Sequence, residues 1–113
     1  MKLEEYGTKA MTTMLHEHAY GDVDAQLMAQ VLGLVGESGE FADKVKKIIR
    51  DKNGKLTDED RQNLLKELGD VLWYVNAVSV LLGSDINTVA ERNLEKVLGR
   101  KARGVTKGSG DDR

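Results

Sequence analysis

No cysteine occurs anywhere in the chain, which excludes disulfides and thiolate metal ligands and leaves oxygen and nitrogen donors for any metal site. Reduced thiol chemistry is absent as well, so the composition fits a cytoplasmic protein. Proline is also missing, and aromatic residues are few: one Trp, one Phe and three Tyr. A chain without proline and poor in aromatics leans toward helices. Neither charge dominates, because 17 basic residues nearly cancel 19 acidic ones. No general positive field is available to recruit nucleic acid, and a nucleic-acid partner is not expected. Long apolar runs are missing too: the most apolar segment, Val71 to Leu82, is broken by Asn76 and Ser79 and is too short to span a bilayer. The N-terminal Met1-Lys2-Leu3-Glu4-Glu5-Tyr6 has no apolar core of a signal peptide. The expectation is a soluble intracellular protein without a membrane partner.

What is present is a chain of 113 residues, enough for one hydrophobic core but not two. Apolar positions recur at helical spacing in four stretches. The first, Leu3 to His18, carries Leu3, Tyr6, Ala10 and Met14. His16 and His18 within it are two apart, which on a helix turns them away from each other and argues against a shared metal. Asp22 then offers an N-cap for a second helix from Val23 to about Arg50, with a stripe from Leu27 through Val31, Leu34, Ala42 and Val45 to Ile49. Gly33, Gly36 and Gly39 interrupt its middle, each at a cost of about 1 kcal/mol against alanine. A cost of that size implies close packing, ligand access or a break in the helix.

Asp51 to Lys55 reads as a turn, with Gly54 suited to positive φ, and Thr57 as the N-cap of a third helix reaching Leu82. Its apolar stripe runs through Leu64, Leu68, Val71, Val75 and Val78. Trp73 is placed on the side away from Glu67, Asp70 and Tyr74, where another surface, most simply a second subunit, would cover it. Gly83 closes this helix, Ser84 or Asp85 caps a fourth from about Ile86 to Ala102, and the Gly-, Ser- and charge-rich tail, residues 104–113, is expected to be disordered. The expected unit is a single all-α domain over residues 1–103, a four-helix bundle completed by oligomerisation.

The chemistry lies in two acidic doublets, Glu37-Ser38-Gly39-Glu40 and Glu67-Leu68-Gly69-Asp70, with 26 residues between them. On helices each doublet puts two carboxylates one turn apart on one face. Four acids meeting between two helices repel one another unless a cation lies among them, and a hard divalent ion with oxygen ligands, Mg²⁺ or Mn²⁺, suits them. A di-iron bundle would need a histidine at the fourth position of two such motifs, and neither has one. Asn93, Lys96 and Arg100 follow at i, i+3 and i+7 and bring an amide and two cations onto one face. Beside a metal–carboxylate site that face suits phosphate. Together these features point to hydrolysis of a phosphoanhydride, and no P-loop motif is present.

Gly33-Leu34-Val35-Gly36-Glu37-Ser38-Gly39-Glu40, followed by Lys66-Glu67-Leu68-Gly69-Asp70-Val71-Leu72-Trp73-Tyr74, resembles the MazG-like nucleoside triphosphate pyrophosphohydrolases, whose signature is E-x-x-E, a spacer and E-x-x-D. The likeness extends through Asn93-Leu94-Glu95-Lys96. The resemblance implies an all-α homodimer or homotetramer that cleaves an NTP or dNTP between its α and β phosphates with Mg²⁺, in a house-cleaning role. Glu37, Glu40, Glu67 and Asp70 would be the metal-binding and catalytic residues, one of them, Glu37 among the candidates, orienting or deprotonating water. Asn93 and Lys96 would contact the nucleotide, with Arg100, Lys44, Lys47 and Tyr74 as further substrate candidates. A phosphoribosyl-ATP pyrophosphohydrolase-like enzyme and a non-catalytic helical oligomerisation module are the alternatives. The base pocket has no sharp signature.

Overall fold

The computed structural model describes all of residues 1–113 and contains four helices and no strand: α1 (Leu3–Met11), α2 (Ala25–Lys52), α3 (Asp58–Leu81) and α4 (Ile86–Ala102). The helical ends are set by local chemistry. Asp24, rather than Asp22, caps α2, its carboxylate accepting from the Leu27 amide. Asn53 ends α2 in the left-handed region at φ 52°, and Gly54 follows at φ 76°. Thr57 caps α3 in a full capping box: its hydroxyl accepts from the Asp60 amide while the Asp60 carboxylate accepts from the Thr57 amide. Lys52 reaches across the turn to both oxygens of Asp60 at 2.8 and 2.9 Å, tying the end of α2 to the start of α3. Asp85 caps α4 through the Thr88 amide.

One helix is shorter than its apolar spacing implies. α1 stops at Met11 instead of continuing to His18, and the Thr12 and Thr13 hydroxyls turn back onto the Lys9 and Ala10 carbonyls. Such bonds take over acceptors that the next helical turn would use.

α2 and α3 form a long antiparallel hairpin, α4 packs on α3 only, and α1 packs against no other helix. Burial is correspondingly small: Ile48 is the one buried hydrophobic residue, joined by Glu67 and Ser79. The chain exposes 9419 Å², against about 6200 Å² expected of a compact monomer of its mass. Its radius of gyration is 20.0 Å, where about 13 Å is usual for this length. The stripes identified in the sequence are therefore half-covered edges of a hairpin, not the interior of a closed bundle. No helix is long and apolar enough to cross a membrane.

The three α2 glycines have different reasons. The helix is unbroken through all of them. At Gly33 a side chain would overlap the Tyr74 ring, so glycine there permits the close approach of α3, whereas Gly36 and Gly39 face open space. The tail after Gly104 forms turns and bends without helix or strand and folds back along α4.

Candidate functional site

The antiparallel hairpin brings the two acidic doublets level with each other. Glu37 of α2 and Glu67 and Asp70 of α3 each offer a carboxylate oxygen, and these oxygens lie within 4.8 Å of one another. Glu40, one turn from Glu37 on α2, stands outside that trio, and its charge bears on Glu37. Desolvation, and then the charges of Glu40, Asp70 and Glu67, push the Glu37 carboxyl above its ordinary range.

Glu67 is the most confined member, at 8% exposure. One of its oxygens accepts from the Lys44 ammonium, which is thereby held above its usual pKa, while Oε2 is buried without any partner. A carboxylate with a buried, unmet acceptor, in a cluster with two further carboxylates, suits a small divalent cation with oxygen ligands. The donor set contains no sulfur or imidazole, so it favours a hard ion over a thiophilic one.

Lys47 lies one turn beyond Lys44 and pairs with Asp43 at 2.7 Å. Lys47 and Lys46 together hold the Asp43 carboxyl down at about 2. Gly36, Gly39, Glu40, Asp43, Lys44 and Lys47 line an open groove of about 450 Å³, where the bare glycine backbones leave room beside both charges. Asp43 gave no signal in the sequence, because it belongs to neither doublet.

The polar strip of α4 is elsewhere. Asn93 and Lys96 line their own cleft of about 340 Å³ with Val89 and Arg92, separate from the α2 groove. Lys96 and Arg100 converge on the Asp111 carboxylate of the tail at 3.0 and 3.2 Å, and Arg100 also donates to the Asp111 carbonyl. Both cations hold the Asp111 carboxyl below its ordinary value, Lys96 more than Arg100. Lys96 and Arg100, one turn apart, thus share an anion within the chain, the Asp111 carboxylate, and Asn93 takes no part in that contact.

Tyr74 lies across Gly33 beside the acidic trio, with the Trp73 ring edge-on to it at 4.9 Å between centroids. Trp73 is 59% exposed, and the α2 residues with which it shares a cleft, Gln26 and Gln30, lie on the helix line that carries Glu37 and not on the side away from it. Trp73 borders a cleft of about 320 Å³ together with Gln26 and Gln30 of α2 and Asn76, Ala77, Val80 and Leu81 of α3. The opposite edge of the hairpin is wholly apolar: Val23, Leu27, Met28, Val31, Leu32, Val78 and Leu82 line a second groove there.

The MazG nucleotide pyrophosphohydrolase domain matches residues 26–105, which span the acidic trio, the α2 groove and the α4 strip. Gene 37 protein of Mycobacterium phage L5 is 48% identical over 115 residues, covering the whole of both chains. No solved structure matches. By the extent of the domain match and the end-to-end likeness to its phage relative, the chain belongs to the MazG nucleotide pyrophosphohydrolase family.

Proposed function

We propose that the chain is a Mg²⁺-dependent nucleoside triphosphate pyrophosphohydrolase that cleaves the α–β phosphoanhydride. The observation that carries this reading is the convergence of carboxylate oxygens of Glu37, Glu67 and Asp70, in a trio whose Glu67 also has a buried oxygen without a partner. In the reaction a water oxygen bonds to phosphorus, the bridging P–O bond breaks, and the products are a nucleoside monophosphate and pyrophosphate. Glu37, Glu67 and Asp70 hold the ion, with Glu40 as an adjoining ligand, and Mn²⁺ is a substitute. The ion supplies charge neutralisation at the phosphates and a more acidic water.

The protein's own groups do the rest. Lys44 keeps a positive charge at the edge of the acidic trio, where it can follow either Glu67 or a phosphate. Glu37, the α2 member of the trio, is the candidate to orient or deprotonate the attacking water. Lys96 and Arg100 form a two-pronged anion receptor on α4 for the phosphate chain, with Asn93 beside them. Lys47, at the far end of the α2 groove, adds a second cation there.

A second copy of the chain completes the fold. About 3000 Å² of surface beyond that of a compact monomer, including the apolar groove from Val23 to Leu82, is more than a standard protein interface buries. A homodimer or homotetramer follows, and α4 of one copy can then serve the acidic trio of the other.

The deciding experiment incubates the protein with a panel of NTPs and dNTPs plus Mg²⁺ and identifies the products. Pyrophosphate with a monophosphate is expected. Orthophosphate release, or no turnover of any nucleotide, would overturn the assignment.

A further inference from the structure

The acidic trio and the cleft at Trp73 lie on the same side of the hairpin. On α2, Gln26, Gln30, Gly33 and Glu37 follow at i, i+4, i+7 and i+11, a single line along the helix. On α3, Asp70, Ala77 and Leu81 follow at i, i+7 and i+11, the matching line running the other way. Glu37 and Asp70 meet at one end of this double line, while Gln26, Gln30, Ala77 and Leu81 line the Trp73 cleft at the other. Seven residues separate Gln30 from Glu37, so the cleft begins on the order of 10 Å from the carboxylates along the axis. A ribose with its first phosphate bridges that gap.

The cleft also has the chemistry of a base receptor. Trp73 presents an exposed indole, and Gln26, Gln30 and Asn76 carry amides, each with both donors and an acceptor. The side-chain hydrogen bonds of α2 and α3 engage other groups, which leaves these three amides open to a ligand. No charged side chain lines the cleft. An uncharged pocket with one flat aromatic wall and a rim of amides matches a nucleobase, which stacks on its face and pairs along its edge. It does not match a phosphate, for which the cations lie elsewhere.

Resting on the pyrophosphohydrolase reading, we propose that this cleft is the base subsite: Trp73 stacks on the nucleobase, and Gln30 and Asn76 hydrogen-bond its edge while the phosphates extend toward Glu37 and Asp70. Tyr74, held over Gly33 between the two ends, supports the sugar. The base is recognised by neutral amides, so discrimination follows the donor and acceptor pattern of its edge and not its charge.

Trp73 is the single tryptophan, so its fluorescence reports on this cleft alone. Titrating the wild-type protein with nucleoside monophosphates should give saturable quenching, without metal or turnover, whereas ribose 5-phosphate and pyrophosphate should give none. Gln30→Ala and Asn76→Ala, each at an exposed or half-buried position, should raise the midpoint about tenfold, the scale of a lost ligand hydrogen bond. Equal quenching by ribose 5-phosphate, or fluorescence that changes only with protein concentration, would overturn the base subsite; the latter would instead place Trp73 between subunits. Assaying pyrophosphate release on the same samples separates the two readings. Hydrolysis with a silent Trp73 sinks the subsite alone, and base-dependent quenching without hydrolysis sinks the hydrolase alone.

Discussion

The two edges of the α2–α3 hairpin are built from the same pair of helices and differ completely in what they offer. One edge carries Glu37, Asp70 and a row of amides beside Trp73, Val80 and Leu81; the other carries Val23, Leu27, Val31, Leu32, Val78 and Leu82 with no polar group among them. An edge with unpaired carboxylates and amides is stable in water and ready for a polar ligand. An exposed apolar edge of that length is the kind of surface that protein partners cover, which is why assembly is part of the proposal. Both edges stay open in the single chain, and correspondingly few residues are buried between the helices.

The most severe way to break the chemical edge is Asp70→Asn. Asparagine keeps the shape of the exposed side chain but removes one of three converging charges. Hydrolysis should fall by roughly 100-fold or more, the factor that about 3 kcal/mol of lost charge stabilisation implies. Helical circular dichroism should be unchanged. Activity within a few-fold of wild type would show that the trio is a solvated acidic patch.

Breaking the other edge should leave helices intact and dismantle the assembly. Leu32 is 71% exposed in the single chain, so Leu32→Glu removes little from the hairpin itself. In an oligomer the same substitution buries an unpaired carboxylate. Sedimentation should shift from oligomer to monomer; an unchanged mass would move the interface to another face.

These edges were unequally legible in the sequence. The helices could be read because their ends are written in single residues: Thr57, Gly54, Gly83 and Asp85 act where their side chains or positive φ predict, while Asn53 extends α2 two residues past Arg50. The acidic trio could be read because Glu37, Glu67 and Asp70 recur at one-turn spacing on helices of antiparallel register. Asp24 and not Asp22 caps α2 because both carboxylates can serve the same helix start, and residue type alone does not choose between them. α1 was overextended because periodicity does not register the hydroxyls of Thr12 and Thr13 turning back onto the helix. Trp73 was put on the far side because one helix's periodicity does not say how the neighbouring helix rolls against it. The amide cleft needs Gln26 and Gln30 from α2 and Asn76 from α3, a pairing that no local pattern encodes.

Where the edges meet, Gly33 sets their spacing. A methyl group at this position collides with the Tyr74 ring, and ring and helix must separate to admit it. Gly33→Ala should therefore destabilise the hairpin by about 1–3 kcal/mol despite alanine's better helix propensity. Gly36→Ala, in open space three residues away, should be neutral or stabilising. Thermal melts of both variants test the contrast directly, and equal shifts would mean that α3 does not approach at Gly33.

The smallest effect expected is at the closed end of the hairpin, which holds both edges in register. Thr57→Ala removes the hydroxyl half of the capping box and should cost about 1 kcal/mol. The Asp60 half is sensitive to pH. Lys52 first, and then the Thr57 amide, hold the Asp60 carboxyl below its ordinary 3.8. A depressed folded-state pKa contributes stability that is present above the unfolded value and is lost as pH falls through the folded one. Wild-type stability should therefore decline below about pH 4 in part through Asp60, and Asp60→Asn, which cannot titrate, should show a shallower acid decline from a lower starting point. Denaturant melts at pH 7 and pH 3 compare the two. If the variant loses as much stability on acidification as the wild type, the Lys52–Asp60 clasp does not fasten the hairpin, and the register of its two edges rests on the Gly33–Tyr74 approach.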